Sequence, residues 1–441
     1  MSRLPLFPLK PMFWGLLLLL WLLPGAATGA QLSLDEAIQA TLRNHPLQQA
    51  ALEKQLAAEA AASAASANLL PKFNASYSYF HLRDKPYGIF GPAGKIGLGD
   101  DDIFTWRISA VQPLFTGFAL TTRKKMARLE LRGRKLAREQ LQLDLVKNAK
   151  LAYYQIYLAE KHLQVAAKTV TNLKAHEEDA AALYKEGIVA YNDLLQARVA
   201  LAEARRQQEM ADRNLDLARS RLNLLMNRDI TTPFTVKSIA VELDEDFGDL
   251  GKLFAEALET RPEIKHLEVA LKQAKMAVTL ARSSYYPTIS LVGSYEQTGH
   301  DFDAQQNDYR NKDTAAIGIQ ADWTFFEWGK TRALEKEQSH AHKALEHKLE
   351  EAKNQVRLEV KTAVRDLEMA VTNTRTAETA VTQAEENLRM TTQQYRQQMA
   401  TSTTLLDAVT FLDRTRNGYY DSLYGYLMAR AELERALGHQ N

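Results

Sequence analysis

Residues 71–81 read PKFNASYSYFH, and residues 287–296 read PTISLVGSYE. In the first stretch Phe73, Ala75, Tyr77 and Tyr79 alternate with Asn74, Ser76 and Ser78; in the second Ile289, Leu291 and Tyr295 alternate with Ser290 and Ser294. A period of two marks a strand with one apolar and one polar face. A second alternating run follows each. Phe104, Trp106, Ile108 and Ala110 alternate with Thr105, Arg107 and Ser109; Ile317, Ile319, Ala321, Trp323 and Phe325 alternate with Gly318, Gln320, Asp322 and Thr324. The expected strands are about 72–81, 102–113, 288–296 and 314–326. Each has roughly the 9–11 residues of a tilted membrane-spanning strand, although a half-buried hairpin in water would alternate in the same way.

The two stretches are copies of one plan. Pro46 and Pro262 lie 216 residues apart, as do Pro71 and Pro287. Further on the offset becomes 211: Phe115 matches Phe326, Tyr184 matches Tyr395, Leu194-Leu195 matches Leu405-Leu406, and Leu222 matches Leu433. The change of offset falls between the strands of each copy, so the loops there differ in length. The first loop, 87–99, holds five glycines and precedes Asp100, Asp101 and Asp102. Its Gly91 to Lys95 segment lacks the hydroxyl residue and strand-to-helix setting of a phosphate loop. The second loop, 297–312, is polar and acidic.

Helical patterns surround the strands. Ser33 with Glu36 forms a capping box for a short helix, and Pro46 opens a second one that runs to about residue 70. A very long helix is expected over about 117–184, with Gly133 as its one interior glycine, and another over about 329–397. At 1.5 Å per residue each spans on the order of 100 Å. Leu349, Val356, Val360, Leu367 and Val371 follow coiled-coil spacings. Return helices are expected over about 191–226 and 401–437.

The 441 residues carry 55 Lys and Arg against 54 Asp and Glu, which gives no overall bias toward nucleic acid. Cysteine is absent, which excludes disulfides, thiolate metal sites and a lipidated N-terminal cysteine. Residues 1–30 read as a cleaved Sec signal: Arg3 and Lys10, an apolar run over 12–23, then small residues at Thr28-Gly29-Ala30. An uncleaved anchor, the alternative, would need about 20 apolar residues. His340, His342 and His347 sit among Glu and Lys on one helix without the spacing of a metal motif. No catalytic constellation and no cofactor motif stands out, so no enzyme activity is expected.

Four strands cannot close a barrel, and open edges in lipid leave backbone groups unpaired. Several chains must then share one barrel. Two chains would give about eight strands, a filled interior; three would give about twelve, with a lumen. Asn74, Ser76, Thr105, Arg107, Gln320 and Asp322 make the expected inward face hydrophilic, as a water-filled pore requires.

The motifs Tyr184-Lys185-Glu186-Gly187 with Asp193-Leu194-Leu195-Gln196-Ala197-Arg198, and Tyr395-Arg396-Gln397-Gln398 with Leu405-Leu406-Asp407-Ala408, resemble those of TolC-type outer-membrane efflux channels. Pro113-Leu114-Phe115-Thr116-Gly117 fits as well, and the resemblance covers essentially the whole mature chain. It implies a mainly helical chain with a β-barrel portion, a homotrimer with a twelve-stranded barrel in outer-membrane lipid, and a periplasmic helical tunnel. It also implies a periplasmic adaptor (membrane fusion protein) and an inner-membrane pump or ATPase as partners, in tripartite efflux or type I secretion. The expected plan is a signal at 1–30, a first repeat at 31–227, a linker or equatorial segment at 228–248 and a second repeat at 249–441.

By the same resemblance Asp407, Asp193, Tyr395 and Thr404 fall at the channel constriction. Gly187, Ile188, Val189, Ala190, Met399, Ala400 and Thr401 form the helix tips that meet a partner. Gln398 stands where glycine is usual, Ala400 where some relatives carry a gate arginine, and Thr404 where some carry an acid. Asp193 is expected to accept a hydrogen bond from Tyr395. The bland alternative is that Asp193 and Asp407 are solvated acids placed by the helix dipole. The rival reading of the chain is a periplasmic coiled-coil adaptor of an export complex. An adaptor would carry a glycine-rich lipoyl-type β-domain between its hairpin helices, and none is seen.

Overall fold

The computed structural model describes residues 31–439, so the signal sequence expected at 1–30 lies outside the described residues. In chain order the elements are β1 (Gln31–Leu32), α1 (Leu34–Asn44), α2 (Pro46–Ala67), β2 (Lys72–His81), β3 (Tyr87–Ile89), β4 (Lys95–Gly97) and β5 (Asp102–Thr116), then α3 (Ala119–Lys185) and α4 (Tyr191–Leu225). The second copy follows with β6 (Thr235–Val236), α5 (Leu250–Thr260), α6 (Pro262–Arg282), β7 (Thr288–Gly299), β8 (Asp313–Asp322), α7 (Lys330–Arg396) and α8 (Ser402–Leu437).

Four strands form one antiparallel sheet in the order β2-β5-β7-β8. Residues directly opposite in such a sheet share a face. Asn74 faces Ser109, Ser76 faces Arg107, Arg107 faces Glu296, Ser109 faces Ser294, and Ser290 faces Gln320. The other face carries Tyr77 against Trp106, Ile108 against Tyr295, and Leu291 against Ile319. The sheet is thus polar on one side and apolar on the other across all four strands. The apolar side is bare: Phe73, Ile317 and Ile319 are 75%, 80% and 71% exposed. Within the chain β2 and β8 each have a neighbour on one side only.

Strand ends depart from the sequence expectation where the neighbours change. β5 runs on to Thr116, because Phe115 and Thr116 still pair with Ile289 and Thr288 beyond an irregularity at Pro113. Proline has no N–H to give the ladder, so the register slips there. β8 stops at Asp322, opposite Thr288, the first residue of β7. Beyond that point β7 offers no partner, and Trp323 instead donates its Nε1–H to the Tyr285 carbonyl at 3.2 Å. The loop 87–99 holds a small hairpin of β3 and β4, with the Lys95 ammonium 4.3 Å above the Tyr87 ring.

α3 and α7 contain 67 residues each, about 100 Å at 1.5 Å per residue. α3 packs against α2, α6, α4 and α8; α7 packs against α6, α5 and α8. The residues buried along α7, among them Leu349, Val356, Val360, Leu367 and Val371, form its seam. Midway along the helices, β1 and β6 pair in parallel. Tyr153, fully buried on α3, locks this pairing: its hydroxyl donates to the Leu32 carbonyl at 2.8 Å and accepts from the Lys237 N–H at 3.2 Å. Ser33 caps α1, and the Glu36 carboxylate accepts the Ser33 N–H at 2.8 Å, which holds Glu36 below the usual carboxylate range.

The duplication is written in the backbone. Gly117 and Trp328, Phe118 and Gly329, Gly187 and Gln398, and Asn227 and Gly438 are pairs 211 residues apart, and all eight residues have positive φ. Left-handed residues end a helix or turn a strand into one, so both copies bend at the same places.

Candidate functional site

The candidate site lies at the far ends of the long helices. Each turns back through the same motif. In the first hairpin the Gly187 N–H donates to the Tyr184 carbonyl at 2.9 Å and the Ile188 N–H to the Leu183 carbonyl at 2.9 Å. In the second the Gln398 N–H donates to the Tyr395 carbonyl at 2.9 Å and the Met399 N–H to the Gln394 carbonyl at 2.8 Å. These paired bonds satisfy carbonyls that the helix end leaves open. Gly187, Ile188, Ala190, Met399 and Thr401 are exposed on the turns, while Val189 and Ala400 are half-buried. Thr401 caps α8, its hydroxyl accepting the Thr404 N–H at 3.2 Å, and the two hydroxyls lie 2.9 Å apart.

The four residues expected at a constriction divide by burial. Tyr395 is buried, at 3% exposed, whereas its counterpart Tyr184 is 42% exposed and rests on Tyr191. The Tyr395 ring packs edge-on against His176 of α3, with centroids 4.9 Å apart. Its hydroxyl has no hydrogen-bond partner among the described residues, so the expected bond to Asp193 is not made within the chain. Asp193 instead acts by charge. Burial pushes the Tyr395 hydroxyl pKa upward, and the carboxylates of Asp193 and Asp179 add to this. Asp193 is half-buried in the first turn of α4, its own N–H bonded to the Ala190 carbonyl at 3.0 Å. Thr404 and Asp407 are exposed on α8, while Leu405, Ala408 and Val409 of the same turns are buried. Asp407 therefore points away from the packed face. It has no hydrogen bond or ion pair among the described residues.

Sequence reasoning passed over His176 and Ser402. Both are buried, and they join α3 to the first residue of α8 at 2.9 Å. A lone histidine beside Glu177, Glu178 and Asp179 gives no signal of burial. What hides it is the second hairpin, more than 200 residues away. Two further contacts tie the hairpin ends together: Arg396 to Asp179 at 3.2 Å and Thr403 to Gln196 at 3.4 Å. Among the described residues no cluster of His, Asp or Glu is arranged to hold a metal ion.

A family profile described as outer membrane efflux protein matches residues 37–228 and 253–439, one segment in each copy. The chain belongs to the outer membrane efflux protein family. Among members of known assignment, it is 26% identical over 343 residues to the alkaline protease secretion protein AprF of Pseudomonas aeruginosa, covering 74% of this chain and 68% of AprF. It is 25% identical over 210 residues to protein CyaE of Bordetella pertussis, covering 46% of this chain and 44% of CyaE. The fold matches the outer membrane protein VceC of Vibrio cholerae with a TM-score of 0.80 at 17% identity, over 92% of this chain and 96% of VceC. It also matches the open state of the MtrE outer membrane channel of Neisseria gonorrhoeae, with a TM-score of 0.73 at 19% identity over 92% and 89% of the two chains. The mainly helical architecture with a small sheet is therefore that of the outer membrane efflux protein family.

Proposed function

We propose that this chain is one protomer of a homotrimeric outer-membrane channel that carries substrates across the periplasm and outer membrane of a Gram-negative bacterium. The observation that supports this best is the four-stranded sheet. It is polar on one face, apolar on the other, and unpaired along both β2 and β8. In lipid neither edge can stay open. Joining β8 of one copy to β2 of the next satisfies both edges, and three copies give a barrel of about twelve strands with a wet lumen. The apolar face then meets lipid, and Asn74, Ser76, Arg107, Glu296 and Gln320 line the pore.

The long helices continue the barrel as a tunnel whose closed end is the pair of hairpin tips. Asp407 and Thr404 line the constriction, and Asp193 and Tyr395 stand behind it. The exposed turns, with Ile188 and Met399 foremost, meet a periplasmic adaptor, and through it an inner-membrane pump or ATPase. Export follows cleavage of the Sec signal at residues 1–30, without lipidation. AprF by its name serves protease secretion, and the matched protein TtgF of Pseudomonas putida serves toluene efflux. The channel itself performs no catalysis. Purified chain reconstituted in a planar bilayer tests the reading: ion-conducting pores are expected, and a silent bilayer with folded protein would contradict it.

A further inference from the structure

His176, on α3, is the one imidazole at the tip among the described residues, and it touches two further helices, α7 and α8. Only 3% of it is exposed. Its Nε2 lies 2.9 Å from the Ser402 hydroxyl, at the start of α8, and its ring packs against Tyr395 near the end of α7. Its Nδ1 is buried with no hydrogen-bond partner among the described residues. One side chain of the first hairpin thus holds both helices of the second.

The charged groups around it are few. Asp179 lies on its own helix and Asp193 on α4, and both carboxylates favour a charged ring. On α7, Arg396 pairs with Asp179 at 3.2 Å, which offsets part of that attraction, and Tyr395 presents an uncharged hydroxyl. On α8 the facing group is the neutral Ser402 hydroxyl. Burial outweighs the carboxylates, and the ring's pKa lies below its ordinary 6.5.

We propose that His176 is a proton-sensitive latch between the two hairpins: neutral, it holds the start of α8 against α3, and protonated, it releases it. Protonation makes both ring nitrogens donors, so Nδ1 carries an N–H where no acceptor stands, and it adds a charge where water is excluded. Parting the hairpins hydrates both. The closed tip therefore binds the proton more weakly than the open tip. Acid shifts the balance toward opening below about pH 6.5, by up to about tenfold per pH unit for one proton per chain. The effect levels off below the depressed pKa of the closed form. The latch rests on the channel reading and adds a control to it.

Planar-bilayer recordings of the full chain between pH 8 and pH 5 test it. Wild-type channels should open more as the pH falls below about 6.5. His176→Gln, with an amide that can still reach Ser402 but cannot titrate, should be flat over this range. Ser402→Ala removes the neutral-state bond and should raise opening at pH 7.5 by about two- to tenfold, with a smaller acid increment. A His176→Gln channel that titrates like wild type would put the proton on another group and overturn the latch, as would a wild type indifferent to pH. Should His176→Gln fail to assemble, Ser402→Ala decides: opening unchanged from wild type at pH 7.5 overturns the proposal. Wild-type protein that forms no pore at all would instead remove the channel reading, and the latch with it.

Discussion

Gly187 and Gln398, 211 residues apart, hold the same left-handed backbone conformation, with φ of 74° and 62°. Glycine adopts it freely, whereas a side chain there meets its own backbone at roughly 1–2 kcal/mol. The second tip is therefore the strained one. Gln398→Gly should stabilise the folded protein by about 1 kcal/mol, and Gly187→Ala should destabilise it by a similar amount. Thermal unfolding in detergent checks both signs; a loss of stability in Gln398→Gly would mean that the Gln398 side chain contributes a contact between chains.

Each strand-to-helix junction holds one glycine, at neighbouring but not equivalent positions of the two copies. A Cβ on Gly117 would collide with the Ser283 carbonyl oxygen, whereas one on Gly329 would meet nothing within 4 Å. Both residues have positive φ, 57° and 79°. Gly329→Ala should cost about 1 kcal/mol from backbone strain alone. Gly117→Ala must also push α3 and the end of α6 apart, and it should lower the yield of assembled protein much further. Equal yields of the two variants would contradict the packing at Ser283.

Arg435 joins the end of α8 to both copies. Its Nε donates to Asp144 at 2.6 Å and its Nη2 to Glu263, with the side chain 11% exposed. Arg435→Met takes the cation from Asp144 and leaves Glu263 only the more distant Arg261, at 3.8 Å. It should destabilise the chain by about 3 kcal/mol, as breaking one side of a buried pair does. Denaturant midpoints should fall accordingly; a change under about 1 kcal/mol would show that water already screens the pair.

Glu296 faces Arg107 across β7 and β5 on the polar side of the sheet, with Arg107 Nε donating at 2.7 Å. Both side chains are partly exposed, so the pair contributes little to stability. Its expected effect is on the pore. Glu296→Gln leaves three unpaired guanidinium groups in the proposed barrel and should shift the reversal potential toward anions. An unchanged reversal potential would place this face away from the lumen.

Asp407 tests the constriction. In the proposed trimer, three exposed copies near one axis would form an acidic ring that favours cations. Asp407→Asn should reduce cation selectivity and blunt inhibition by divalent cations in bilayer recordings. Selectivity and divalent sensitivity both unchanged would return Asp407 to a solvated helix-start acid.

Much of this was legible because local rules suffice for it. Period-two runs at 72–81 and 102–113, proline at the helix starts and the 211-residue offset each depend on neighbours in sequence. What was hidden depends on distant ones. β8 stops at Asp322 because β7 begins opposite it, which alternation through Phe325 conceals. The β3–β4 hairpin lies in a glycine-rich stretch with too little periodicity to read. The two-residue strands β1 and β6 have no periodicity at all, and a buried tyrosine on α3 joins them. The motifs drew attention to Asp193, Tyr395 and Asp407, which lie on α4, α7 and α8 beside the hairpin turns. The burial of Tyr395 against His176, rather than a bond to Asp193, follows from packing between hairpins that no spacing within either one encodes.

In the proposed trimer the open edges of β2 and β8 are joined between copies. Light scattering on the detergent-solubilised protein, with the micelle contribution subtracted, measures this most directly. A particle of three chains is the predicted result. A folded particle of one chain, with its four-stranded sheet intact, would contradict it.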